Sequence, residues 1–291
     1  MSEAALEAQP GRSLRLAFRS NGLLWLGAVI VAALVVIAIF APLIAPFPGD
    51  AGSATHPLDS FLGPSGKHWF GTDAVGRDVF SRVLYGTRIS LIIAALVILF
   101  SLAIGVPLGI AAGYFGGIVD NLLMRITDVF LAFPALLLAL ALASVLSPSV
   151  SNATLAIAVT WWPWYARLAR GQAASVAGRP FIESCRALGI SPLRTLLRHV
   201  LPNSVTPVIV QASLDVGGVI LTAAALSFLG LGAQDPTPEW GLMVSEGQAY
   251  FTTQWWLVTF PGVAILLAAL AFNLVGDGLR DRLDPRRVTS R

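Results

Sequence analysis

One carboxylate lies inside a long apolar stretch of this sequence. Asp215 interrupts the run 203–231, which is otherwise free of charged residues. A carboxylate at membrane depth is costly and usually faces a helix bundle's interior or a water-filled cavity. One interpretation places Asp215 and Thr222 along a polar pathway. The alternative is that Asp215 shapes its helix by hydrogen-bonding Thr222, Ser213 or the backbone near Gly217 and Gly218.

Asp215 has no second catalytic group beside it in the apolar runs, and this disfavours catalysis inside the membrane. An intramembrane enzyme needs a nucleophile with a base, or paired carboxylates, at the same depth. The apolar runs contain no histidine, and Asp128 and Asp277 fall at the ends of runs. We therefore expect no catalytic residues in this chain.

A glycine-rich segment before the second apolar run resembles a phosphate-binding loop only superficially. That loop requires a glycine five residues before Gly66, where Phe61 stands, and Ser or Thr after Lys67, where His68 stands. We expect no ATP site here. The three histidines have no metal-ligand spacing and Cys185 is the one cysteine, so neither a metal site nor an intrachain disulfide is expected.

The composition indicates a membrane protein. Of 291 residues, 56% are hydrophobic and 12% charged, about half the roughly 25% typical of soluble domains. Mean hydropathy is +0.75. No basic run is dense enough to suggest nucleic acid as a partner.

Six charge-poor runs predict an all-α, polytopic fold with six transmembrane helices, since a span needs roughly 20 mostly apolar residues. The predicted spans are residues 23–44, 89–113, 127–146, 153–164, 203–231 and 256–275. A cluster of turn-forming residues at 147–152 separates the third from the fourth.

Basic residues predict which ends lie inside. With both termini cytoplasmic, all but four of the 19 basic residues fall in inner segments, the four being Lys67, Arg77, Arg82 and Arg88. The predicted organisation is an amphipathic inner segment at 1–22 (Leu14, Leu16, Phe18), a first span at 23–44, an outer loop at 45–87, a core at 88–278 with an inner loop at 169–202, and an inner tail at 279–291. The outer loop ends in a predicted helix at 78–88 that leads into the second span.

The inner loop is patterned like a helix–turn–helix. Pro180 suits a first helical turn and Gly189 suits a left-handed helix end. Ser191 and Pro192 then signal the start of a second short helix. Phe181, Ile182, Cys185 and Leu188 are predicted to share one apolar face. Such a face either docks a cytoplasmic partner or rests on the bilayer or the bundle.

The same loop carries a resemblance. Glu183-Ser184-Cys185, then Gly189 after three residues and His199-Val200-Leu201-Pro202 after nine more, resembles the EAA loop of binding-protein-dependent ABC importer permeases. Ser184 and Cys185 stand where that family has two alanines, and both are small enough to preserve packing.

Further segments resemble one subfamily, the C-type permeases for dipeptides, oligopeptides and nickel. They cover most of the chain: His68–Asp73, Gly76–Arg82, Leu226–Gly232, Pro236–Gly241, Asn273–Asp281 and Leu283–Arg286.

The resemblance implies a type I ABC importer permease fold in the cell membrane and a transport role without enzymatic activity. It implies four partners: a second, B-type permease, ATPase subunits that bind ATP and Mg, an extracytoplasmic solute-binding protein and the lipid bilayer. No cofactor is expected in this chain. The residues it assigns to ATPase coupling are Phe181, Ile182, Glu183, Ser184, Cys185, Ala187, Leu188, Gly189, Pro192, Leu201 and Pro202.

The solute and the energy source each leave a second interpretation open. The solute is a peptide by resemblance, and nickel or another small solute is the alternative within the family. From another class, an ion-coupled secondary transporter would need paired ionisable residues in the spans, and only Asp215 is there.

Two smaller groups of residues have a structural and a binding interpretation. Outside, Asp73, Arg77 and Asp78 either hold the outer loop together or contact the binding protein. In the second span, glycines recur at every fourth position and predict close helix packing, within the chain or with the second permease. These glycines are Gly105, Gly109 and Gly113.

Overall fold

Ten α-helices account for most of residues 10–283, the part of the chain that the computed structural model describes; side chains are described from residue 22 onward. The helices are α1 (Pro10–Ile44), α2 (Val79–Phe115), α3 (Gly117–Leu131), α4 (Ala135–Val145), α5 (Val150–Ala177), α6 (Pro180–Ala187), α7 (Pro192–Thr195), α8 (Leu201–Phe228), α9 (Trp240–Gly247) and α10 (Trp256–Leu283). Single 3₁₀ turns at Pro48–Ala51, Pro57–Asp59 and Gln248–Tyr250 and a π-helical turn at Leu196–Val200 complete the described elements.

Within residues 10–283, four helices are long and apolar enough to cross a membrane. They are Gly22–Ile44 within α1, α2, the helical stretch Pro192–Phe228 that ends as α8, and α10. α5 is 28 residues long, about 42 Å of helix, but Arg167 and Arg170 make it more polar than those four helices. A six-span count therefore requires α5 and the α3–α4 pair to be counted as spans, and it stays a prediction.

The predicted third span is not a single straight helix. α3 and α4 meet at an angle of 81° across residues 132–134. Pro134 lacks the N–H that a continuous helix would use and disfavours helical geometry at Phe133. α4 therefore restarts directly after Pro134. The prediction of one helix at 127–146 was wrong because it was read from the absence of charge and ignored this proline.

Two other helices, α2 and α5, extend beyond the predicted spans. α2 begins at Val79, so the predicted outer helix at 78–88 and the second span form one continuous helix. α5 is longer than the predicted 153–164 at both ends. The predicted inner segment at 1–22 is helical from Pro10 and continuous with the span. The side chains of Leu14, Leu16 and Phe18, like the end of the tail beyond Leu283, lie outside the described part.

Glycines bring the central helices together. α2 and α5 form the closest helix pair, and Gly105, Gly109 and Gly113 of α2 face the backbone of α5. A Cβ at Gly109 would overlap the carbonyl oxygen of Ala166. These glycines therefore serve packing within the chain, as small residues spaced by four allow.

The outer loop folds onto the ends of α2 and α10. The backbone N–H of Phe47 donates to the hydroxyl of Ser81 on α2 at 3.1 Å, and the indole N–H of Trp256 on α10 donates to the carbonyl of Thr72 at 3.2 Å. Phe70 of the loop stacks on Phe260 of α10 with ring centroids 3.8 Å apart. The loop is thus packed against the outer ends of these two helices.

Candidate functional site

Helix α6 is attached to the bundle by one side. Ile182 is fully buried and Cys185 nearly so. Phe181 is 39% and Leu188 78% exposed. The prediction that these four side chains share one face is therefore only partly right. The chain buries the side between Ile182 and Cys185, and Phe181 and Leu188 flank it and point outward.

The end of α6 is a Schellman cap, as its glycine predicts. Gly189 has φ +70°, the left-handed region. The N–H of Ile190 donates to the carbonyl of Cys185 and that of Gly189 to Arg186, both at 3.0 Å. This cap fixes the turn into α7, which begins at Pro192 after Ser191.

Aromatic contacts position the outward side of α6. The guanidinium of Arg186 lies 5.6 Å from the ring centre of Tyr114 at the end of α2, a cation–π distance. The Phe181 ring meets His199 of the π-helical turn edge-on, with centroids 6.5 Å apart. Helix α6 is thus held to α2 and to the entrance of α8.

An open concavity of about 520 Å³ continues the exposed side beyond α6. It is lined by Ser191, Leu193, Arg194, Leu197 and Arg198. Leu193 and Leu197 are more than half exposed. The remaining predicted coupling residues differ in their exposure. Leu201 packs partly against the core, and the others are exposed: Glu183, Ser184, Ala187, Pro192 and Pro202. The exposed coupling residues and the residues that line the concavity together form a surface of mixed apolar and charged character, which we call the α6–α7 surface.

Two ion pairs join α5 to α3. Arg170 donates to both carboxylate oxygens of Asp120, from Nε at 3.0 Å and from Nη2 at 2.6 Å. Arg167 pairs with Asp128. α5 leads directly through Gly178 to α6, so these pairs connect α3 to the helix that carries the α6–α7 surface.

Asp215 lines a cavity of about 470 Å³ between α5 and α8, with Trp161, Trp164, Arg167, Leu168 and Gln211. Gln211 donates to its carboxylate at 2.8 Å. The predicted alternative partners bond elsewhere, because Thr222 donates to Gly218 and Ser213 to Ile209. Thr222 does not line this cavity.

The predicted outer charge cluster is mostly buried. Asp78 is 1% exposed; it caps α2 by accepting from the N–H of Ser81 and pairs with His68 at 2.9 Å. Arg77 is 5% exposed and binds Asp73 at 2.7 Å and Asp235 at 2.8 Å. Burial lowers the pKa of Arg77, but the bonds to Asp235 and Asp73 outweigh it and leave the pKa raised. This geometry favours the interpretation that the charges hold the loop.

Sequence reasoning missed several members of this network. Arg82 is 1% exposed and lies 3.8 Å from Asp73 and 3.7 Å from Glu246 of α9. Burial raises the pKa of Glu246, partly offset by Arg82 and Arg77. These groups line an outer cavity of about 300 Å³. Asp235 and Glu246 are distant in sequence from Arg77 and Arg82, so no local pattern pointed to them.

Comparison with known proteins places these features in a family. The family model described as "Binding-protein-dependent transport system inner membrane component" matches residues 105–289. A second, described as "N-terminal TM domain of oligopeptide transport permease C", matches residues 9–64.

Similar proteins cover nearly the whole chain. The dipeptide transport system permease protein DppC of Alkalihalophilus pseudofirmus is 45% identical over 95% of this chain and 90% of its own length. The probable D,D-dipeptide transport system permease protein DdpC of Escherichia coli K12 is 45% identical over 98% and 97%. The glutathione transport system permease protein GsiD of Escherichia coli O6:K15:H31 is 46% identical over 92% and 88%.

A solved structure shares the fold. A chain of the inward-facing MetNI methionine ABC transporter superposes with a TM-score of 0.54 at 17% identity, covering 73% of this chain and 98% of its own.

Proposed function

The chain belongs to the family of binding-protein-dependent transport system inner membrane components, and we propose that it is the C-type permease subunit of an ATP-driven importer of small peptides. It is a multi-pass protein of the cell membrane with the type I importer permease fold. It is not itself an enzyme. In this proposal ATP and Mg are bound by separate ATPase subunits, a related B-type permease completes the pathway, and an extracytoplasmic binding protein delivers the solute.

The observation that carries the proposal is the α6–α7 surface. The C-cap residue of helix α6, Leu188, is 78% exposed, while the buried Ile182 anchors the helix to the bundle. An exposed apolar surface of this kind favours a docked protein partner. We propose that an ATPase subunit covers it and that the coupling residues assigned by resemblance, Glu183 and Gly189 among them, contribute to that contact.

A path for the movement follows from the contacts of α5. When the ATPase subunits close on ATP, α6 moves with them. Gly178 links α6 to α5, and the Arg170–Asp120 and Arg167–Asp128 pairs link α5 to α3. The cavity beside Asp215, which lies between α5 and α8, therefore changes shape with the nucleotide state. A ligand shifts such an equilibrium only through contacts that differ between its states.

Peptide as the solute is supported by the relatives, two of which are named for dipeptides and one for glutathione, itself a peptide. In this proposal Asp215 and Thr222 belong to the pathway. The outer charges at Asp73, Arg77 and Asp78 support the surface on which the binding protein docks, mainly by fixing the loop.

Reconstituted uptake tests the function. The chain, its B-type permease and its ATPase subunits are placed in proteoliposomes, with the binding protein outside and ATP inside. We expect uptake of labelled alanyl-alanine that stops when ATP is replaced by a non-hydrolysable analogue. Uptake of nickel but no peptide would give the pathway another solute. Uptake by this chain alone, driven by an ion gradient, would overturn the proposal in favour of a secondary transporter.

A further inference from the structure

The cavity between α5 and α8 contains a carboxyl group without a cationic partner among the described residues. Asp215 accepts from the amide of Gln211 at 2.8 Å. The indole of Trp161 and the hydroxyl of Tyr165 face the same carboxylate. All three are neutral. The nearby cation, Arg167, lines the cavity but is paired with Asp128. A charge held at depth by neutral donors alone is costly.

A second observation at this site points to a ligand. Tyr165 is fully buried. Its hydroxyl faces the Asp215 carboxylate without reaching good hydrogen-bond geometry, and it has no other partner among the described residues. A buried polar group that is poorly paired costs free energy unless something else satisfies it. Tyr165 does not line the cavity itself, but its hydroxyl lies beside the carboxylate that does.

The two tryptophans of the lining favour a cationic ligand, and the charge of Arg167, which also lines the cavity, is balanced by Asp128. Trp161 and Trp164 present indole surfaces to the cavity, and Trp164 is 58% exposed. Aromatic faces attract ammonium groups and do so more strongly when water is partly excluded. The volume, about 470 Å³, lies within the range of small-molecule sites, roughly 300–1,000 Å³.

We propose that this cavity binds the ammonium group of a peptide in transit, with Asp215 as its counter-charge, Trp161 and Trp164 flanking it and the Tyr165 hydroxyl completing the polar contacts. The site rests on the proposed function and deepens it, because it names the part of the solute that the permease recognises. The ammonium is supplied either by the peptide's amino terminus or by a lysine side chain.

Weak binding of this kind is measurable by saturation-transfer NMR. The permease–ATPase complex is held in lipid nanodiscs without binding protein and titrated with alanyl-alanine. We expect saturation transfer strongest at the amino-terminal residue. Asp215→Asn should weaken apparent binding at least about tenfold, the lower end of the range for losing a hydrogen bond to a charged group. Ser213→Ala is the matched control, since Ser213 lies on α8, outside the cavity, and should bind like the wild type.

Two further probes identify the source of the ammonium. N-acetyl-alanyl-alanine has none and should not bind. N-acetyl-lysyl-alanine carries it on the side chain: binding there means that any peptide ammonium suffices, and no binding restricts the site to the amino terminus. The proposal is overturned if wild-type complex gives no signal with alanyl-alanine, or if Asp215→Asn binds it as tightly as wild type.

The outcome is separable from that of the proposed function. ATP-driven uptake of alanyl-alanine in the complete system tests the function alone. Uptake without saturation transfer in the nanodisc complex would refute only this site, whereas absence of uptake would refute the function itself.

Discussion

Arg170 of α5 binds Asp120 of α3 through two parallel hydrogen bonds, although the two residues are 50 positions apart in sequence. This bidentate geometry is the strong form of an arginine–carboxylate pair. Arg167 and Asp128 form a second pair further along the same two helices. The amphipathic α3 is therefore fixed to α5 at two points, and we expect it to move with α5.

Breaking the first pair should loosen α3. Arg170 is 43% and Asp120 17% exposed, so solvent screens the pair and its loss should cost only about 1 kcal/mol. We expect Arg170→Leu to lower the thermal unfolding temperature of the complex by a few degrees. Arg125→Leu is the control, because Arg125 is an exposed arginine of α3 outside both pairs. The exchange Asp120→Arg with Arg170→Asp should recover part of the loss, and a swap no better than Arg170→Leu would contradict the pairing.

The contact between α2 and α5 should tolerate no side chain at Gly109. A Cβ there overlaps the carbonyl oxygen of Ala166. Since neither backbone can yield cheaply, Gly109→Val should force the helices apart, cost roughly 1–3 kcal/mol or more and reduce the amount of assembled complex. Gly171→Val is the matched substitution, because a Cβ at Gly171 meets only open space. Equal yields of the two variants would show that the glycine contact is unimportant.

The turn after α6 should require Gly189. At φ +70°, a β-branched residue is strained by roughly 1–2 kcal/mol. The position is otherwise open, so Gly189→Val should insert normally and still shift the α6–α7 turn. We expect ATP-driven uptake to fall sharply with the membrane level unchanged. Gly178→Ala, at φ −83° in the same inner loop, should transport normally; a Gly189→Val variant that transports as well would refute the requirement.

The outer network should give the complex a pH-dependent stability through Glu246. Burial raises its pKa in the folded protein, so the folded state binds the proton more tightly than the unfolded state. Glu246 therefore stabilises the folded state most at low pH. This stabilisation is lost as the pH rises above the pKa of the unfolded state and towards the raised pKa of the folded state. The Glu246→Gln variant resembles the protonated form at every pH.

Thermal unfolding from about pH 3.5, which is below the ordinary glutamate pKa, to about pH 8 tests this sign. The difference in unfolding temperature, Glu246→Gln minus wild type, should be near zero at the acidic end and increase with pH. A difference that is constant, or that changes sign in the other direction, would show that Glu246 does not carry the pH dependence.

Local features of this chain could be predicted from sequence because their causes are local. Asp78 caps α2 and Gly189 ends α6, as the types of those residues indicate. The bend at Pro134 also has a local cause, the proline itself. A prediction of spans from charge-poor runs does not detect such a bend. Sequence placed Arg77 in a cluster with its neighbours Asp73 and Asp78. Its contact with Asp235 depends on how the loop before α9 folds over α2, and no local pattern encodes that.

The cavity beside Asp215 could likewise be predicted from the sequence only in part. The residue was identifiable because a lone carboxylate in an apolar run is rare. Its surroundings were not, because Trp161 and Tyr165 belong to α5, and only the packing of α5 on α8 brings them to Asp215. Thr222, the partner that spacing suggested, bonds within its own helix.

Site-directed crosslinking at Leu188 determines whether an ATPase subunit docks on the α6–α7 surface. In a Cys185→Ala background that still transports, Leu188→Cys in the assembled complex should crosslink to an ATPase subunit, with a yield that changes when ATP is added. Leu137→Cys, an equally apolar position that is 60% exposed on α4, should give no such product. If Leu188→Cys reacts with the ATPase no more than Leu137→Cys does, the α6–α7 surface is not the coupling surface and the account fails.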